Sequence, residues 1–303
     1  MTLLQRHLKR LLAFSTIAHL GAFLIGIALL TPHGLAGVAV FVLAHGLAKG
    51  ALFLLTGILL ERGGSVDELH LHGQGRRFPM TGVTWLVASL ALASPPFLGT
   101  WQGHALIEEG HSWLAPLLAA FTMLSTGAIL RAGGRVFLGW GAPDDALLSP
   151  EPEEKPDEEA GKRPQRLLVI PAAVLAALAL AVGAVPTITT HAQQAAERFE
   201  NRAGYAAHVL DGQSAQFVQL PRYKVSGESV LWGVVSLSGA FGVAAFGLWR
   251  QRLPAWPRRT AWRVLEPPIN ALRALHSGHV GDYVAWLTFG TAVLGGLLAL
   301  GLT

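Results

Sequence analysis

The sequence has no cysteine and little charge: 303 residues hold no Cys, three Met and three Tyr, and Asp, Glu, Lys and Arg together make up 14%. The missing cysteine excludes disulfide frameworks, cysteine-based zinc sites, iron–sulfur ligation and thiol nucleophiles, while leaving the redox compartment open. Redox chemistry on this chain would need a borrowed cofactor. The low charge excludes an ordinary soluble domain, in which about a quarter of residues are charged. No glycine-rich phosphate loop stands between a strand and a helix, and no basic stripe interleaves with aromatics on a polar surface. Nucleotide and nucleic-acid binding are set aside on that ground. The reading therefore assigns the chain no catalytic centre, no cofactor and no metal of its own.

What is there is apolar: 51% of residues belong to the AVILMFWYC set. A helix needs about 20 apolar residues to cross roughly 30 Å of hydrocarbon. Runs of that kind lie near 11–30, 37–60, 113–138, 167–186, 229–249 and 281–302. A less regular pair, 80–94 and 97–110, is interrupted by Pro95-Pro96 and holds Gly99, Gly103 and Gly110. It reads as a spanning helix followed by a broken one, and irregular backbone at membrane depth is tolerated only against protein or water. The expected fold is all-α, a polytopic integral membrane helix bundle of about eight spanning segments with one broken helix at 95–110.

The 23 Lys+Arg and 19 Asp+Glu cluster in connectors. Residues 141–166 are acidic and proline-rich, the composition of a solvated, disordered linker. Residues 187–228 are alanine-rich and polar and suit an amphipathic surface helix. Residues 250–280 mix arginines with Trp256, Trp262 and leucines, the pattern of a helix lying in an interface. The chain thus divides into 1–140, a linker at 141–166, and carboxyl-terminal helices over 167–303 with the interfacial stretch at 250–280. The first segment has a basic start but no convincing small-residue cleavage site, so no cleavable signal peptide is expected. With eight crossings the Lys/Arg tally is nearly equal on the two sides, and the positive-inside rule does not decide.

Once the connectors are assigned, the groups expected within the spans are Lys49, Glu108 and Glu109, joined by His19, His45, His104 and His111. Lys49 lies twelve residues from Gly37 and eleven from Leu60, close to the bilayer midplane. A charge there costs about 2.5–3.5 kcal/mol even on the lenient insertion scale. His45 precedes it by four residues and shares its helical face; His104 and Glu108 repeat that spacing, while Glu109 points elsewhere. Such a row can hand a proton along inside a low-dielectric bundle. The plainer alternatives are a snorkelling lysine, a structural Lys49–Glu108 ion pair and a His19 that only packs. The relay reading turns the Lys49 amine toward 97–110.

Four blocks in order, LKRLLAFSTIAHLG (8–21), HGLAKGALFLLTG (45–57), ELHLHGQGRRFPMT (68–81) and PPFLGTWQGH (95–104), resemble the second half of a known membrane subunit. The resemblance is to the antiporter-like subunits shared by respiratory complex I, membrane-bound hydrogenases and Mrp-type cation/proton antiporters. The stretch DYVAWLTFG (282–290), after the arginine-rich segment, is similar to the tail of the longest such subunits. The resemblance gives Lys49 the place of the family's central proton-carrying lysine and His45 the place of its companion. Lys9 matches the basic residue at the junction between repeats. The family's terminal lysine or glutamate falls on Gly103, so the resemblance leaves the exit step to His104 or Glu108.

Family members carry two inverted repeats, and the match begins at the second, so the first repeat is expected from another chain or not at all. The resemblance implies a proton-translocating membrane subunit of a redox-driven assembly such as an NADH–quinone oxidoreductase or a hydrogenase. Two alternatives stand beside it: an Mrp-type cation/proton antiporter subunit, and a non-conducting scaffold. The implied partners are other membrane subunits, among them one supplying the first repeat, and the lipid bilayer. The implied location is the inner (plasma) membrane of the cell.

Overall fold

A computed structural model describes residues 2–144, 165–201 and 225–252, with isolated positions at 204, 209 and between 267 and 293. The acidic linker (apart from its ends), most of the 250–280 stretch and most of the span expected at 281–302 lie outside the described residues. Residues 1–250 form one compact unit.

The unit is all-helical among the described residues: α1 (Leu8–Ala28), α2 (Pro32–Gly63), α3 (Pro79–Leu92), α4 (Gly99–Ile107), α5 (Leu114–Gly133), α6 (Gln165–Ala184), α7 (Pro186–Phe199) and α8 (Gly227–Trp249). One antiparallel bridge, His7 to Asp67, ties the amino-terminal segment to the connector after α2. The start of α2 is written in Thr31-Pro32: the Thr31 hydroxyl accepts from the Gly34 amide at 3.0 Å, and proline fits the first helical turn. The helix stops at Gly64, whose φ of +73° only glycine adopts without strain. At 32 residues α2 is the longest helix, and α1, α3, α4, α6 and α7 all lie against it.

Among the described residues, four helices, those at Leu8–Ala28, Pro32–Gly63, Leu114–Leu138 and Gly227–Arg252, are long and apolar enough to cross a membrane alone. The apolar α6 bends by 70° at Val185 into the polar-faced α7, which sets Ala192 and Ala196 against Leu35, Ala36 and Leu106. α7 takes up the first part of the stretch in which an amphipathic helix is expected.

The pair at 80–110 departs from the sequence reading. α3 has 14 residues, about 21 Å of rise, too short to cross alone. Its first turns lie against the end of α5 (Gly82 on Phe137, Trp85 on Gly133) and its last turn meets the middle (Thr126 Oγ1 donates to Leu92 O). α4 then continues toward the opposite side, where Ile107 meets Gly26 and Gly37. Laid end to end, the two follow a single path across the bundle, the length of one crossing, interrupted at Ala93–Leu98. Ser94 and Phe97 hold left-handed φ values of 54° and 70° there. Neighbours satisfy the freed backbone groups, as irregular structure in a membrane requires: Thr100 Oγ1 donates to Ala91 O at 2.6 Å, Gln102 Nε2 to Gly183 O at 2.8 Å, and Trp101 Nε1 to Ser229 O at 2.7 Å.

Counting that pair twice inverts every later connector, which is why the charges balanced in the sequence reading. With one crossing, the starts of α1, α3 and α6 and the ends of α2, α5 and α8 share a side. Arg6, Lys9, Arg10, Arg62, Arg76, Arg77 and Arg250 lie there. The other side carries Glu108, Glu109, Glu197, Glu200 and Glu228, with Arg198 its only Lys or Arg among the described residues.

Candidate functional site

Lys49 projects from the middle of α2 into the bundle and is only 5% exposed. Its amine donates to the Leu12 carbonyl on α1 at 3.1 Å. The same carbonyl accepts from the Thr16 hydroxyl at 3.0 Å. The amine thus faces α1, and not the 97–110 segment as the sequence reading has it. α1 serves because Leu12, Ser15, Thr16 and His19 recur at helical spacing on its inward side.

One turn along α2, His45 meets His19 with ring centroids 4.5 Å apart. His19 Nδ1 donates to Ser15 O at 2.7 Å, which fixes its tautomer and leaves Nε2 as the acceptor. His19 Nε2, both His45 ring nitrogens and the Ser15 hydroxyl oxygen are buried without a protein hydrogen-bond partner. A buried polar group left unsatisfied costs about 1–3 kcal/mol, and in protein interiors such groups are bridged by water. Lys49, His45 and His19 therefore form one polar pocket inside apolar walls.

His104 lies beyond an aromatic wedge. Phe41 stands edge-on to His104 at 4.4 Å between centroids, to His19 at 5.7 Å and to His45 at 6.0 Å. On its far side, His104 Nδ1 is 3.3 Å from Ser94 Oγ in the helix break. Its partner is thus Ser94, and no ion pair joins it to Glu108. Glu108 caps the carboxyl end of α4, half-buried, within electrostatic range of Glu228. Glu109 and the half-exposed His111 stand at the same end of α4, and Lys9 sits half-buried at the start of α1 on the basic side. Gly103 explains why a lysine is absent at its position. A Cβ there would come within 2.5 Å of Phe41 Cβ and 2.8 Å of its Cα, because α4 and α2 touch backbone to backbone through Gly103 and Gly37.

The family-model comparison matches residues 1–129 to "NADH:quinone oxidoreductase/Mrp antiporter, TM". That match covers less than half of the chain. The chain is 36% identical over 135 residues to NADH-ubiquinone oxidoreductase chain 4 of Formosania lacustris, covering 44% of this chain and 29% of the relative. It is 27% identical over 213 residues to a Na(+)/H(+) antiporter subunit of Bacillus subtilis (strain 168), covering 69% of this chain and 41% of that one. The chain therefore spans less than half the length of these curated relatives. Among solved structures, the Mrp complex from Dietzia sp. DQ12-45-1b superposes with a TM-score of 0.54 at 18% identity, over 99% of this chain and 32% of that one. That likeness concerns the fold. The chain is an all-helical membrane protein among its described residues, and its residues 1–129 are similar to that family.

The helical bundle also holds buried charges that the sequence reading overlooked. Arg131 and Arg135 lie inside the run at 113–138, contrary to the expectation that Lys49, the glutamates and the histidines complete the set. Glu68, fully buried from the connector after α2, pairs with both: Arg135 Nη1 donates to its Oε1, and Arg131 Nη2 lies 3.2 Å from the same oxygen. Arg131 also donates to the carbonyls of Leu3 and Gln5, and Arg6 pairs with Asp67 at 2.6 Å. The signal was present in RAGGR, two arginines at i and i+4 on the apolar side of a span.

Proposed function

We propose that this chain moves protons within a membrane assembly, with Lys49 as the group whose charge is loaded and unloaded. The observation that carries the reading is the buried Lys49 amine beside His45 and His19, whose ring nitrogens have no protein partner save the one His19 bond to Ser15. His104 and the Ser94 break continue the row past Phe41 toward the acidic side, with His104 or Glu108 as the outward step and Lys9 at the basic entrance. Arg and Lys concentrate on the side where α1 starts, which supports a cytoplasmic location for it under the positive-inside rule. In a bacterial cell the membrane is the plasma membrane. Other membrane subunits, one of them bearing a first repeat, are the partners, and a redox subunit among them supplies the driving force.

A second reading is favoured by one observation. The overlap with the Na(+)/H(+) antiporter relative covers 69% of the chain, against 44% for the NADH-ubiquinone oxidoreductase relative. On that reading the proton flux is exchanged for a cation. Proton uptake into vesicles bearing the complete assembly, with and without sodium, separates the two.

The test of the shared core is Lys49→Ala. Proton uptake is lost while the assembly forms, because the Leu12 carbonyl keeps the Thr16 hydroxyl. Uptake equal to that of the unmodified assembly would remove Lys49 from the path.

A further inference from the structure

On the basic side, away from the lysine pocket, an open cavity of about 330 Å³ is lined by His72, Gly73, Gln74, Arg76, Arg77 and Gly139. Its floor is a close backbone contact: Gly73 and Gly139 hold φ values of +70° and +63°, and a Cβ on Gly139 would meet Gly73 Cα at 3.3 Å. Arg76 lies across this floor and is fixed there by donating to Leu138 O, while His72 Nε2 donates to Gly141 O at 3.3 Å. Arg77 is exposed and has no hydrogen bond or ion pair among the described residues. Two guanidinium groups and an imidazole thus share an open concavity with no carboxylate in its lining among the described residues.

The rim is apolar where it meets the membrane. Met80, Val83 and Leu86 follow Arg77 at helical spacing on the outer face of α3, with exposures of 68%, 62% and 46%. Across the cavity Leu138 and Trp140 are also exposed, and Trp140 is held against Trp249 at 5.6 Å. Tryptophans of this kind mark the headgroup level of a bilayer. Cations at that level, opening onto an apolar stripe that runs down into the hydrocarbon, suit a molecule with an anionic head and two hydrocarbon chains. Basic pockets between membrane helices bind such headgroups, and planar guanidinium groups match phosphate oxygens.

We propose that the His72–Arg76–Arg77 cavity holds the phosphate of an anionic phospholipid whose chains lie along Met80, Val83 and Leu86. Arg76 gives the site its shape, and Arg77 supplies the free charge.

The test uses the full chain, delipidated in detergent and titrated with phosphatidylglycerol or phosphatidylcholine, with bound lipid counted by native mass spectrometry. Phosphatidylglycerol is expected to be retained over phosphatidylcholine. Arg77→Gln should weaken that retention about fivefold, the effect of one cation near an anionic lipid, and leave phosphatidylcholine unchanged. Met80→Gln with Val83→Gln should weaken it as well. Equal retention of both lipids, or no effect of Arg77→Gln, would overturn the proposal. So would full displacement by millimolar inorganic phosphate, which would make this a small-anion site. Binding that appears only after residues 151–159 are neutralised would give the cavity to the chain's own acidic stretch and overturn it equally.

Discussion

Replacing Glu68 by Gln keeps the side chain's shape and removes the negative charge that Arg131 and Arg135 share. Both guanidinium groups are buried, at 4% and 1% exposure, so neither can turn to water when its counter-charge goes. Breaking a buried ion pair by removing one partner costs about 3–5 kcal/mol. The lower end applies here, since Arg131 keeps the carbonyls of Leu3 and Gln5, and Arg135 keeps Gly247 O at 3.4 Å. At about 2–4 °C per kcal/mol for a unit of this size, Tm should fall by about 6–12 °C. The assay is thermal unfolding of the detergent-solubilised chain followed by tryptophan fluorescence. Adding Arg135→Gln to Glu68→Gln should recover more than half of the loss, because one uncompensated cation is removed. A single-variant Tm within about 2 °C of the parent would show that the charges are compensated elsewhere, and the reasoning from the triad would fail.

The other predictions concern the row of polar groups. Gly103→Ala should destabilise by about 1–3 kcal/mol through overpacking, read as a lower Tm; an unchanged Tm would mean that α4 and α2 part freely, and Gly103→Lys should cost more without raising proton flux. His104→Gln should lower vesicle proton uptake more than Glu108→Gln, since His104 faces Phe41 and Ser94; unchanged uptake in the double variant would place the exit elsewhere. Phe41→Ala should raise passive proton leak in proteoliposomes lacking any driving reaction, and a leak equal to the parent's would remove the ring from the path.

The site was legible where periodicity and cost coincide. Lys49 is an expensive charge in the middle of an apolar run, and His45 one turn earlier shares its face by helix geometry alone. The amine's direction was not legible, because it depends on which neighbour offers an acceptor, and the Leu12 carbonyl is a backbone group with no sequence signature. Arg131 and Arg135 were hidden by their surroundings: basic residues near the end of a span usually reach water, and only the inward fold of the 65–73 connector brings Glu68 to them. The bundle was legible from the apolar runs, whereas the Pro95-Pro96 interruption suggested two elements where the lengths of α3 and α4 add up to one crossing.

Phe41 has a consequence at the scale of the whole membrane. Each proton that slips back across 100 mV dissipates about 2.3 kcal/mol, so an unbroken file of exchangeable groups would short-circuit the cell that houses it. The ring interposes an insulator a few ångströms thick between the Lys49 pocket and His104. Water must displace or bypass it before charge can cross. On the proposed function, throughput depends on an event that wets this gap, and a subunit so built stays electrically tight whenever its driver is idle.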